Sequence, residues 1–159
     1  MLSNWVFVMI QDIDILRELS VAEKLSRVSR LWKMVADREL EPLNLTYPRW
    51  TALWKLHRMG DNVSQKHLAE ALEIELSSLM RTLKLLEEQS LVIRRCCEYD
   101  KRARIVSLTD DGKALITQLE SRIYEVRRKL LSDINDDELK AMGLILEQIA
   151  RNALDTLSE

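Results

Sequence analysis

A mainly α-helical fold with a small β-hairpin is predicted by three observations. Apolar residues recur at helical spacing over most of the 159 residues. Three glycines and two prolines leave few of the turns that a β-rich chain needs. Only between Leu91 and Leu108 do two short apolar runs face each other across a charged connection. The length suits one domain, or a small domain with an appended helical element, and can bury a core without covalent staples.

The stretch WVFVMI, Trp5 to Ile10, is far shorter than the roughly 20 residues of a membrane-spanning helix, and Asp12 and Asp14 follow it. Without a basic segment before it, the extension over 1–13 reads as a docking arm or a poorly chosen start rather than a membrane device. The only cysteines, Cys96 and Cys97, are adjacent, so a bridge between them is strained and a reducing interior fits. Cytoplasmic residence with no membrane partner is the expectation.

From Asp14 to Leu40 the apolar positions Ile15, Leu19, Ala22, Leu25, Val28, Trp32 and Val35 predict one long helix, which Pro42 stops. A second helix, from about Pro48 to Met59, carries Trp50, Leu53, Trp54 and Leu56, with Thr46 as N-cap and Gly60 as stop. Ser64 then caps the short helix SQKHLAEAL, whose stripe is Leu68, Ala69 and Leu72; its His67 reads as a surface residue. After a break at Glu73 and Ile74, ELSSLMRTLKLLEEQ puts Leu76, Leu79, Leu83 and Leu86 on one face and Ser77, Arg81, Lys84 and Glu88 on another.

Two helices joined tightly, the second with a small-polar and basic outer face, match a helix-turn-helix. Any three-helix bundle produces the same apolar pattern, with Arg81 and Lys84 as a solvated face, so the next segment carries the decision. Leu91 to Ile93 and Ile105 to Leu108 read as strands joined by the loop from Cys97 to Arg104, a hairpin with a basic tip. Placed after the second helix, such a hairpin is a wing that reaches the sugar-phosphate backbone or the minor groove. Between Leu76 and Arg104 seven cations stand against four anions, whereas between Asp110 and Glu159 seven cations meet eleven anions. The overall charge of -2 therefore hides a locally positive segment. Phosphate attraction is set within about 8 Å at physiological salt, so a mildly acidic total is compatible with DNA.

Beyond Thr109 and Gly112, Leu115, Ile116, Leu119, Ile123, Val126 and Leu130 continue a helical pattern that Ser132 to Ile134 interrupts. NDDELKAMGLILEQIARNAL forms a last helix with Asn135 as N-cap and three acids in its first turn. Its stripe of Leu139, Met142, Leu146, Ile149 and Leu154 needs a partner surface. The division expected is 14–45 as an N-terminal helix of the dimerisation region, 46–110 as a winged helix-turn-helix, and 111–159 as C-terminal helices pairing with the first across a two-fold axis.

The run DKRARIVSLTDDGKALI, Asp100 to Ile116, resembles the wing signature of the MarR family of transcriptional regulators. With RLWKMVADRELEPLNLTYPRW and SQKHLAEALEIELSSLMRTLKLLEEQSLV, the likeness is to the SlyA and RovA branch, from roughly residue 20 onward. The resemblance implies a homodimer of winged helices on pseudo-palindromic promoter DNA. By position it implies groove-facing Ser77, Ser78, Arg81 and Thr82, Arg102 in the minor groove and Asp100 holding the wing cations. Lys84 on the same outer face, and Lys101 and Arg104 of the basic tip, complete the expected DNA-binding set from the residue pattern. The extension before residue 14 and Ser77, where the branch favours Pro, depart from that pattern.

The resemblance further implies a small aromatic or anionic effector between the dimer helices and the winged helix, near Trp32, Lys33, Arg49, Trp50, Trp54 and His57. Aromatic residues at helical spacing equally serve as core. Arg94 and Arg95 could lower a thiol pKa at Cys96 and Cys97, but oxidation-sensing members of the family use a cysteine near the N-terminus, and a plain hairpin role is expected. No enzyme is expected, and no cofactor or metal: His57 and His67 stand ten positions apart, and there is no Gly-rich phosphate loop or nucleophile elbow. A winged-helix adaptor acting through protein contacts is the alternative, separable by the salt dependence that phosphate contacts impose.

Overall fold

The computed structural model describes residues 13–159, so the stretch Trp5 to Ile10, and with it the docking-arm reading, lies outside the described residues. The helices are α1 (Ile13–Glu18), α2 (Val21–Leu40), α3 (Tyr47–Met59), α4 (Gln65–Leu72), α5 (Leu76–Glu88), α6 (Asp110–Leu130) and α7 (Asp136–Ser158). A 3-10 turn, Glu41–Leu43, follows α2, and the strands are β1 (Val63–Ser64), β2 (Val92–Cys96) and β3 (Arg104–Leu108). The helical class with a small sheet agrees with the sequence.

The single helix expected from Asp14 to Leu40 is two. The Ser20 hydroxyl accepts the Glu23 backbone N–H at 3.3 Å and the Glu23 carboxylate accepts that of Ser20 at 3.1 Å. This reciprocal capping box starts a new helix at Val21. Thr46 occupies the N-cap position of α3, but its hydroxyl accepts from the Arg49 side chain, and the carboxylate of Asp37 on α2 takes the Tyr47 N–H instead. Gly60 closes α3 at φ 96, a left-handed region that costs glycine little. Ser64 caps α4 through the His67 N–H at 3.0 Å, as expected.

The strands form one antiparallel sheet in the order β1-β3-β2. Val106 pairs with Val63 on one side and with Arg94 on the other. The wing is longer than the sequence suggests, since β2 continues through Arg94 and Arg95 to Cys96. The third strand is an addition, because two residues carry no periodicity that a sequence pattern can detect.

Leu53 and Leu56 of α3, Leu68 of α4, Leu79 and Leu83 of α5 and Val106 of β3 are fully buried. Each such side chain contributes about 1.5–3 kcal/mol of burial. Leu76, expected on the same stripe, is exposed at the first turn of α5. At the foot of the wing, Gly112 in the first turn of α6 abuts the start of β2: a Cβ there would lie 2.2 Å from the Leu91 carbonyl oxygen. Thr109 locks this junction. Its hydroxyl donates to the Ser90 carbonyl at 2.7 Å and accepts the Gly112 N–H at 3.0 Å, while its own N–H donates to the Leu91 carbonyl at 3.1 Å.

The chain divides into two compact units, Met1–Val126 and Arg127–Glu159. In the second, α7 begins with the expected Asn135 cap, a capping box closed by Glu138. Among the described residues no side chain of α7 is buried, and Met142, Ile145, Leu146, Ile149 and Leu154 are exposed. In the first unit, Val21, Leu25 and Val28 of α2 are likewise exposed. Among the described residues no helix is long and apolar enough to cross a membrane.

Candidate nucleic-acid interface

Helices α4 and α5 are joined by a tight turn in which Glu73 adopts φ 55 and donates its N–H to the last carbonyls of α4. With Leu79, Leu83 and Leu86 anchored in the core, the opposite side of α5 faces outward. Ser77, Arg81 and Lys84, at i, i+4 and i+7, are exposed on that side. Ser78 and Thr82 are half-buried beside it.

The wing loop is closed by short-range hydrogen bonds. Cys97 donates to the Ala103 carbonyl at 2.9 Å and Ala103 to the Asp100 carbonyl at 3.0 Å. The Asp100 carboxylate accepts the backbone N–H of Arg102 at 3.0 Å, so it shapes the loop through the backbone. Lys101, Arg102 and Arg104 are exposed. Among the described residues, neither these three nor Arg81 and Lys84 have a carboxylate within salt-bridge distance. Five cations are thus left to attract an outside anion. Cys96 is exposed and Cys97 half-buried, both as free thiols. As successive residues on an extended chain they point to opposite faces.

Two cations that the sequence pattern adds to this set are already engaged. The Arg94 guanidinium donates to the Glu87 carboxylate at 3.1 and 3.3 Å, and its backbone N–H donates to the same group at 3.2 Å. That side-chain hydrogen bonding, aided by the nearby charge of Arg104, holds the Glu87 carboxyl below its ordinary 4.5. Arg95 donates to the side-chain oxygen of Asn62, which also accepts the Ser107 hydroxyl at 3.2 Å. Neither pairing has a signal in local sequence.

Between the start of α4, the exposed face of α5 and the wing lies a groove of about 430 Å³ lined by Lys66, Met80, Arg102 and Arg104. Gln65 also lines it, is 6% exposed, and keeps a buried amide oxygen with no hydrogen-bond partner among the described residues.

The six residues expected around an effector are dispersed. Lys33 and Trp54 line a hollow of about 460 Å³ with Tyr47, Lys55, Ile74 and Thr82, and the Lys33 ammonium stands 5.9 Å from the centre of the Tyr47 ring. Trp32 joins Lys33 and Tyr47 in a smaller hollow of about 230 Å³. Trp50 is 6% exposed and belongs to the core, stacked on Trp54 at 5.5 Å. Arg49 is occupied by the Asn44 carbonyl and the Gln89 side chain at 3.0 and 3.1 Å. His57 is exposed and tilted against Trp54 at 6.1 Å, outside both hollows. No group of three or more His, Cys, Asp or Glu residues that could hold a metal exists among the described residues.

A helix-turn-helix followed by a basic wing is a geometry shared with known proteins. Residues 43–103 match the model of the MarR family. The transcriptional regulator PA3341 is 32% identical, with 86% of this chain and 99% of that one covered and a TM-score of 0.75. The S. aureus MepR-DNA complex matches at 24% identity and a TM-score of 0.79 over 85% of this chain and 99% of the other. A mutant MarR from E. coli complexed with operator DNA matches at 21% and 0.77, covering 87% and 97%. These last two are likenesses of fold. The family match across the helix-turn-helix and wing, joined to a regulator similar over nearly its whole length, leads to one assignment: the chain belongs to the MarR family of transcription regulators.

Proposed function

We propose that the protein is a sequence-specific double-stranded DNA-binding transcription regulator that acts as a homodimer on pseudo-palindromic promoter sites. The observation that carries this reading is the set of five cations on α5 and the wing, Arg81, Lys84, Lys101, Arg102 and Arg104, left without carboxylate partners among the described residues. Two of the four acids of the same segment are directed elsewhere, Glu87 to Arg94 and Asp100 to the loop backbone. The DNA complexes of MepR and MarR support the same use of the fold.

In this reading each α5 enters a major groove, and the two helices of the dimer engage grooves about 34 Å apart, one DNA turn. Arg81 pairs bidentately with a guanine edge, a contact worth about 1–3 kcal/mol of discrimination. Ser77, Ser78, Thr82 and Lys84 take phosphates or bases. Arg102 enters the minor groove, preferentially at A·T-rich sequence where the groove is narrow and its potential most negative. Lys101 and Arg104 neutralise flanking phosphates, and Asp100 presets the loop that carries them. Residues 46–110 form the DNA-binding domain.

Residues 14–45 and 111–159 supply the dimer interface, which covers the exposed apolar positions of α2 and α7. A small anionic or phenolic effector occupies the hollow bearing Lys33 and Trp54, where two lysines and aromatic rings suit such a molecule and Thr82 of α5 forms part of the wall. Occupancy there releases DNA by displacing α5. Within the family we assign the chain to the SlyA and RovA branch, acting in the cytoplasm.

Selection of bound duplexes from random DNA by the full-length protein tests the reading. The expected product is a two-fold site with A·T-rich flanks. Recovery of no preferred duplex at low salt, or elution of the protein as a single subunit, would refute it.

A further inference from the structure

We infer that Glu87 and Asn62 are positioning residues that brace the wing from its two sides, holding Arg94 and Arg95 so that the tip cations meet DNA at a set angle to α5. The inference rests on the DNA-binding reading above. Arg94 and Arg95 are successive residues of β2, so their side chains leave opposite faces of the strand. Each is taken by a different element. Glu87, in the last turn of α5, accepts from two guanidinium nitrogens of Arg94, Nε and one terminal nitrogen, and from its backbone N–H. That N–H lies on the edge of the sheet that β3 leaves unpaired.

An exposed ion pair contributes little by itself. Here the Arg94 side chain is only 19% exposed, and two charge-assisted bonds act together with a main-chain bond. On the other face Asn62, just before β1 and at φ 56, accepts Arg95 and Ser107 through its side chain and donates its own N–H to the Ser107 hydroxyl at 2.9 Å. One bracket runs from the DNA-reading helix to the wing, the other from the turn after α3 to the same strand. Neither Glu87 nor Asn62 offers DNA a cation. Charge alone says that removing Glu87 strengthens binding, because an acid leaves a basic surface. Bracing says the reverse, so the sign of the change separates them.

The test uses the full-length protein, Glu87→Ala, Asn62→Gly and the double variant Glu87→Ala with Arg94→Ala. Alanine favours the exposed helical site, and glycine suits the positive φ of residue 62, so both single variants keep the fold. Amide hydrogen exchange over residues 92–104 is measured without DNA. Affinity and footprint are measured on the duplex selected by the wild-type protein. Both single variants should exchange about tenfold faster across the wing and lose about tenfold in affinity. Protection should vanish in the minor-groove flanks and persist in the major grooves. The double variant should lose no more than Glu87→Ala, since the two residues act as one bracket. Unchanged exchange across the wing, tighter binding by Glu87→Ala, or an additional loss in the double variant would overturn the inference. The exchange arm decides on the bracing even where no duplex is selected, an outcome that counts against the DNA-binding reading alone.

Discussion

Salt is the perturbation whose effect on this protein is best defined by its geometry. Each neutralised phosphate steepens the fall of log K with log salt by about 0.9. Among the described residues, five cations of α5 and the wing lack carboxylate partners, and a cation lying in a groove between phosphates displaces counterions as one on a phosphate does, so the proposed dimer neutralises at most about ten phosphates and its slope approaches about -9. Were Arg94 and Arg95 also free for DNA, the limit would be about -13. From 50 to 200 mM the smaller set costs about five orders of magnitude in affinity. Lys101→Ala removes one cation from each subunit and should bring the slope to about -7, with a loss nearer four orders of magnitude. Fluorescence anisotropy of a labelled duplex obtained by selection, titrated at four or more salt concentrations, reads both slopes. A wild-type slope shallower than about -4, or an identical slope for Lys101→Ala, would refute the placing of these cations against DNA. A flat response would instead favour an adaptor working through protein contacts.

Arg81→Ala and Arg102→Ala should each abolish tight operator binding in gel shifts while size-exclusion chromatography still shows a dimer; wild-type-like shifts for both variants would contradict the proposed contacts. Gly112→Ala should destabilise the fold by about 1–3 kcal/mol, because the added methyl meets the Leu91 carbonyl and main chain must move. That loss outweighs the helix-propensity gain of about 1 kcal/mol, and an unchanged urea midpoint would count against it. Salicylate at millimolar concentration should quench tryptophan fluorescence through Trp54, operator DNA should reverse the quenching, and Trp54→Phe should weaken it; no quenching would remove the effector from this hollow.

The helices were legible because burial imposes periodicity, and Leu53, Leu68, Leu79 and Leu83 stand in the core as the sequence pattern requires. Caps were legible where a side chain acts on its own neighbours, as at Ser64 and Asn135. Thr46 was harder to read, since Asp37, nine positions earlier, supplies the acceptor. The break at Ser20 had a local signal in Ser20 and Glu23, hidden by apolar spacing that continues across it. Leu76 shows the limit of stripe reasoning at a helix end, where the first turn projects past the core. The candidate site divides in the same way. Exposure of Arg81, Lys84 and Arg102 follows from helix phase and loop position, whereas the engagement of Arg94 by Glu87 and of Arg95 by Asn62 depends on where tertiary folding brings the wing.

The main-chain carbonyl of Asn44, at the left-handed residue that ends the 3-10 turn, receives both Arg49 and the Gln89 side-chain nitrogen, the latter at 2.8 Å. Arg49 in turn reaches the Gln89 oxygen, so Asn44 and Arg49, five positions apart, close a ring with the distant Gln89 just past the last residue of α5. The end of α5 is thereby tied to the loop that precedes α3, so a tilt of α5 that preserves this ring displaces Ser77, near its start, farther than Lys84.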